Sequence, residues 1–388
     1  MKIKSRPEDF FVEEILGAPI LPKGGHALYV LEKKNANTLS VLEILSQKLR
    51  LPLSSFGYGG RKDKHAHTKQ YITIKNKRSS GEIKSANWSM KPAGFLDRPM
   101  GPDLIESNSF NVVVRDISRE ELKIYSECLE NIGQYGFINY FDDQRFGTLD
   151  PVQGFLAHKI LKSHFNGTLK IYITRVSSED NKSEMLRKKS IFDEWGDWNA
   201  CLLKAKTQFE IMAFKHLQAK PKDFIPPLRK IPTHDLTLYF GAYQAYLWNE
   251  TTRRLASQKI DHPVKTRGVA GEYVFFNSLN KADLNYWQNL TIPTAGSKME
   301  FSDPLAEKIH AGILEKEELK LPQFNITKIR QAYFKSTDRR AVVMPVGLSF
   351  KAEDDEFNPA RFKLTLSFLL QRGSYATMLF KRLMAISR

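Results

Sequence analysis

Short strand-like segments stand at both ends of this 388-residue chain, and the long stretch between them reads mainly as helix. Residues 1–148 read as mixed strands and helices, and the length suits two or three domains. Near the N-terminus, residues 27–31, 71–74 and 110–114 are rich in β-branched and aromatic residues, as strands are. A helix is expected to open near Asn37, Thr38 or Ser40, with Leu42, Leu45 and Leu49 on one buried face. Ser118 and Glu121 suit a capping box, with Ile117 and Leu122 as its staple, for a second helix ending before Gly133. Past Gly147, Asp150 and Pro151 suit the start of a helix reaching toward Phe165. A polar stretch, residues 177–189, precedes a Trp-bearing helical region through Gln218, and four prolines make residues 220–232 a connector. Tyr239, Tyr243, Tyr246 and Leu247 mark residues 236–255 as a buried helix. Another is expected from Asp303-Pro304 to about Leu319. Strands return at 341–344 and 362–368, followed by a turn at Gly373 and a closing helix.

The charge is lopsided. Lys and Arg number 59 against 43 Asp and Glu, a formal charge of +16, which favours an anionic partner such as nucleic acid and says nothing about fold. Cys128 and Cys201 stand far apart without C-x-x-C spacing, which argues against a disulfide framework and a thiolate zinc site. The opening residues MKIKSRPEDF lack the apolar core of a signal peptide, and no run of about 18 apolar residues offers a membrane span. A soluble, cytoplasmic protein is the expectation.

Between Glu43 and Glu82 the only acid is Asp63, among Arg61, Lys62, Lys64, Lys69, Lys75, Lys77 and Arg78. Neighbouring cations favour a carboxylate's charged form, and the same cations would gather a polyanion around it. An Asp can attack carbon without an activating base; a surface Asp in a charged loop is the plainer alternative. Gly57-Tyr58-Gly59-Gly60 precedes it and could lift the acid out of the local packing. That run fits neither the P-loop nor the dinucleotide fingerprint, so no nucleotide cofactor is read from it. His65 and His67, two apart, would share one face of a strand, but no matching ligands accompany them and no metal is expected. Residues 139–147 carry aromatics, amides and Arg145, the equipment for stacking and reading an unpaired base, or else a core strand entering a turn. Phe110 begins a strand beside Asn108, and Lys4 is by itself an ordinary N-terminal lysine.

Taken in order, these stretches resemble the TruD family of tRNA pseudouridine synthases, and the likeness runs along nearly the whole chain. Residues 4–14, KSRPEDFFVEE, look like the family's opening segment, and Lys33 to Thr38 its K-x-x-x-N-T stretch. Residues 60–70, GRKDKHAHTKQ, resemble G-x-K-D-K-H-A-x-T-x-Q, whose Asp is catalytic. Residues 139–147 resemble N-Y-F-G-x-Q-R-F-G, residues 373–377 resemble G-S-[FY]-A-T, and residues 243–249 are like a helix early in the family's inserted domain. The chain departs from these patterns at Arg61, at His67 where Val is usual, and at Asp142 in place of Gly. None of these removes a reacting group, although Asp142 could alter the turn beside the base, and Arg61 and His67 could alter RNA contacts.

The resemblance implies an α+β fold: a pseudouridine-synthase catalytic domain with a mostly antiparallel sheet, formed by residues 1–151 and 321–388. A smaller α/β domain, residues 152–320, interrupts it. It implies a uridine in tRNA (position 13 in bacterial members) whose glycosidic bond breaks and whose uracil is rejoined through C5, with no cofactor and no metal. Asp63 would be the nucleophile, on ribose C1′ or uracil C6. Lys4 would pair with it, Phe110 would stack on the flipped base, Asn108 would position it, and Phe141, Gln144 and Arg145 would shape the pocket. The implied partner is tRNA, with no membrane and no protein partner. The competing readings are a relative with broader RNA substrates, a non-catalytic RNA-binding protein, and another RNA-modifying enzyme such as a methyltransferase.

Overall fold

The structure, a computed structural model, describes residues 1–75, 81–177, 179–331 and 333–386. Lys77 and Arg78, counted above among the cations near Asp63, lie outside the described residues. The chain divides into two compact units, Met1–Phe137 with Val343–Arg388 and Ile138–Val342.

The first unit is built on a sheet of ten strands among the described residues. Its spine runs in the order Val346–Asp354, Phe362–Gln371, Ile105–Ile117, Phe10–Leu16, His67–Lys75, His26–Lys34, Trp88–Leu96 and Ile83–Lys84. Lys2–Ile3 also pairs with Ile105–Ile117, and Phe56–Tyr58 with His67–Lys75. Only the pairing of Phe10–Leu16 with His67–Lys75 is parallel; the others are antiparallel. The two C-terminal strands join through Phe362–Gln371, which lies against Ile105–Ile117 with Phe368 opposite Phe110. Strand burial follows position. His26–Lys34, between two neighbours, is mostly buried, whereas Val346–Asp354 at the edge is largely exposed and carries Lys351 and Glu353, as a protected sheet edge should.

Helix Thr38–Leu49 begins where Asn37 accepts a hydrogen bond from the Leu39 amide, and its Val41, Leu42 and Leu45 pack with Tyr29, Leu31, Ile72 and Met90. Helix Arg119–Tyr135 opens on the expected Ser118–Glu121 capping box. It runs past Gly133 to Gly136, whose positive φ of 73° suits glycine. Gly133 was expected to stop the helix; it does not, because glycine in a helix interior is a penalty of about 1 kcal/mol rather than a barrier. Helix Ala376–Ile386 closes the unit, as expected after Gly373, with Phe380 6.4 Å from Phe10.

The second unit is mainly helical. Its axis is Thr233–Lys259, 27 residues long, with Leu236, Phe240, Tyr243, Leu247, Trp248 and Leu255 all buried. The unit also holds Phe165–Thr174, Lys182–Asp193, Gln208–Ala219, Lys281–Asn289 and Pro304–Lys316, the last packed directly against that axis. The strands are short antiparallel pairs, Val264–Gly268 with Gly271–Phe275 and Thr291–Pro293 with Asp338–Arg340. Asp303 caps its helix through the Ala306 amide, as expected. The Asp150-Pro151 start is different: Asp150 accepts from the amides of Val152 and Gln153, and Gly154 at φ 80° breaks the turn. The helix begins only at Leu156. The expected connector contains one short helical turn, Ile225–Leu228.

Candidate active site

Asp63 lies in the loop between Phe56–Tyr58 and His67–Lys75. Glycines shape the loop's entry: a Cβ on Gly57 would fall 2.8 Å from the Met100 nitrogen, and Gly60 holds φ at 150°. From Thr38, on the neighbouring helix, a polar chain ties the loop down. The Lys62 amide donates to the Thr38 hydroxyl (3.2 Å), that hydroxyl donates to Gln70 Oε1 (3.0 Å), and Gln70 Nε2 donates to Gly60 O (3.2 Å).

The Asp63 carboxylate is engaged through both oxygens. Oδ2 pairs with the Lys4 ammonium, and Oδ1 accepts from the His65 amide at 3.0 Å, a pattern that suits an ionised, acceptor-only carboxylate. Each side chain keeps about a fifth of its surface open, 20% for Lys4 and 23% for Asp63. Lys4 itself is held at φ 60°, the left-handed region uncommon for a residue with a Cβ. Its ammonium sits 4.3 Å from the Phe10 ring centre. Phe10 meets Phe110 edge-on at 6.3 Å, and Phe110 stacks on Phe368 at 5.2 Å. Phe110 is thus a nearly buried ring (8% exposed) of an aromatic row that ends beneath the Lys4–Asp63 pair.

Two further lysines serve this loop from inside. Lys33, fully buried, donates to Asp63 O (2.8 Å), Ala36 O (2.8 Å) and Lys62 O (3.4 Å). Burial lowers its pKa to about 8; Asp63 opposes that shift and Lys62 adds to it. Lys62 donates to Asn108 Oδ1 at 2.7 Å and pairs with Glu14 Oε1 at 2.9 Å, while Glu14 Oε2 accepts from the Tyr71 amide. Because a lysine only donates, this contact settles which way the Asn108 amide is turned: its NH2 faces away from Lys62. Sequence reading passed over Glu14, Lys33 and Lys62 as site residues. Lys33 heads the K-x-x-x-N-T stretch and Lys62 adjoins Asp63, so both positions were visible, but burial was not.

The structure thus joins Lys4 to Asp63 and links Asn108 to the same loop through Lys62. The other polar side chains of the loop, Arg61, Lys64 and His65, face solvent. His65 and His67 do not share a strand, since His65 lies in the loop; its ring contacts Asn35, while His67 pairs with Glu32 at 2.7 Å.

Phe141, Gln144 and Arg145 belong to the second unit. Phe141 is clamped there by Asn249, which accepts from its amide and donates to its carbonyl, both at 2.9 Å. The Arg339 guanidinium lies 4.1 Å from its ring centre. Gln144 is exposed, in the short turn Asp143–Phe146. Arg145 packs so close to Gly241 that a Cβ there would meet its Nη2 at 2.3 Å. Asp142, the departure from the family's glycine, is buried at φ −75°, a conformation open to any residue.

No helix among the described residues is long and apolar enough to cross a membrane. The sequence profile of tRNA pseudouridine synthase D (TruD) matches residues 1–383. The chain is 29% identical over 393 residues, all of both proteins, to "Probable tRNA pseudouridine synthase D 1" of Methanococcus maripaludis. To tRNA pseudouridine synthase D of Aquifex aeolicus it is 29% identical over 392 residues, 99% of this chain and 98% of that one. A crystal structure from Methanosarcina mazei that carries the TruD designation superposes with a TM-score of 0.71 at 24% identity, over 99% of this chain and 93% of the other, which establishes the shared fold. With the α+β architecture and its mostly antiparallel sheet in place, the match along almost the entire sequence makes this chain a member of the TruD family of tRNA pseudouridine synthases.

Proposed function

We propose that this enzyme converts a uridine of tRNA, the one at position 13, to pseudouridine with Asp63 as the nucleophile. The observation that carries the reading is the Lys4–Asp63 pair, a partly open carboxylate set on a tightly braced loop. The carboxylate adds to ribose C1′ or to uracil C6. The N1–C1′ bond breaks, the uracil turns over, C5 bonds to C1′, and the bond to the carboxylate breaks, which frees Asp63. The C5 proton is lost and N1 gains one, so the net change is an isomerisation that needs no cofactor. A base inside folded RNA must leave its stack to be reached. Asn108, its NH2 directed away from Lys62, offers a donor to a uracil carbonyl. Phe110 supplies an aromatic surface in the base site. By the family resemblance the catalytic domain comprises residues 1–151 and 321–388 and the inserted domain residues 152–320, both boundaries lying inside the compact unit Ile138–Val342. With tRNA as substrate, the enzyme works in the cytoplasm.

Asp63→Asn is the direct test. Binding of tRNA is expected to stay within about twofold of wild type, while pseudouridine formation, read by sequencing or mass spectrometry, disappears. Undiminished product would remove Asp63 from the mechanism. The reaction should also run with RNA and protein alone; a requirement for a methyl donor would point to different chemistry.

A further inference from the structure

We infer that Lys33 is a positioning residue for Asp63: a buried ammonium that holds the backbone on both sides of the nucleophile. The inference rests on the assignment of Asp63 above. The carbonyls of Lys62 and Asp63 belong to the two peptide groups that flank the Asp63 Cα, and Lys33 Nζ donates to both, at 3.4 and 2.8 Å. Fixing both peptide planes fixes φ and ψ of Asp63, and therefore the direction in which its carboxylate leaves the chain. The third contact, to Ala36 O at 2.8 Å, anchors the ammonium to the turn before helix Thr38–Leu49. That helix also holds Lys62 through Thr38, so one rigid element supports the loop twice.

An ammonium is suited to this place and a neutral amine is not. Three N–H groups meet three carbonyl oxygens; loss of a proton removes one donor and turns a lone pair toward an acceptor. Lys33 is fully enclosed, and its cross-strand partners Thr68 and Trp88 carry no charge. The charged groups acting on it are the Asp63 carboxylate, which favours the ammonium, and Lys62, which disfavours it. Because burial brings its pKa to about 8, the clamp should be lost within the working range of the assay.

The test compares single-turnover pseudouridine formation by wild type and Lys33→Met, with tRNA affinity measured alongside. A displaced nucleophile lowers the rate by about a hundredfold, and tRNA affinity should stay within about twofold, because Lys33 is out of reach of the RNA. For wild type, the rate at saturating tRNA should fall as pH rises through about 8; for Lys33→Met it should be low and lack that limb. A Lys33→Met rate within about threefold of wild type, or the same alkaline limb in both proteins, would overturn the proposal. Should Lys33→Met fail to fold, the wild-type profile decides: a rate flat from pH 7 to about 9 sinks the clamp. An inactive Asp63→Asn beside a fully active Lys33→Met would refute the role of Lys33 alone, whereas an active Asp63→Asn would remove the nucleophile on which it rests.

Discussion

Asp355 shows how a buried acid can remain charged. Burial works against its carboxylate, but the amides of Asp116 and Phe357, the Asn358 side chain and the Arg115 guanidinium together lower its pKa to about 2. Arg115, itself enclosed, also grips Asp9 with two hydrogen bonds of 2.9 Å. A carboxylate whose folded pKa is depressed contributes stability above its ordinary value near 4, and that contribution is lost as pH falls toward 2. Denaturant unfolding of wild type should therefore show about 1 kcal/mol lost through this group between pH 5 and pH 3, and Asp355→Asn should lack that component. A stability gap between the two proteins that stays constant over this range would contradict the assignment. At this scale the sequence was informative about reactive positions and silent about burial. Asp63 stood out because no other acid lies near it, whereas Lys62 looked like one more surface cation. Its partner Glu14 lies 48 positions earlier and meets it only after strand Phe10–Leu16 pairs beside His67–Lys75.

Helix Arg119–Tyr135 shows which signals act within an element. Its start was legible because a capping box is a local exchange of two hydrogen bonds. Its end was misjudged because Gly133 and Gly136 look alike in sequence, and only Gly136 adopts a positive φ. Gly133 has room to spare: a Cβ would meet only Leu348 Cδ2, at 4.0 Å. Gly133→Ala should therefore stabilise the protein by roughly 0.5–1 kcal/mol, seen as a higher denaturant midpoint with an unchanged slope. A lower midpoint would show that the helix does not tolerate the methyl group. Strand cores such as Ala27–Leu31 were readable from composition, but no local feature announced that Phe362–Gln371 would pair with Ile105–Ile117.

For the whole molecule, the formal charge of +16 and the exposed Arg61 and Lys64 beside Asp63 make RNA binding an electrostatic matter. Neutralising as few as two phosphates makes affinity fall about tenfold between 50 and 200 mM salt. A filter-binding series should show log K declining linearly with log salt; a flat series would move the source of affinity elsewhere. The contribution is smaller than the sequence suggested, since Lys33 and Lys62 are spent inside the protein. The sheet that unites the two ends of the chain also sets an order of events at the ribosome. Ile105–Ile117 emerges long before Phe362–Gln371, its neighbour on one side, with roughly 250 residues between them; at 5–20 residues per second that is a wait of roughly 12–50 s. For that time a bare strand edge stands open while the helical unit is made, so a nascent chain stalled inside residues 138–342 should be the form most in need of a chaperone.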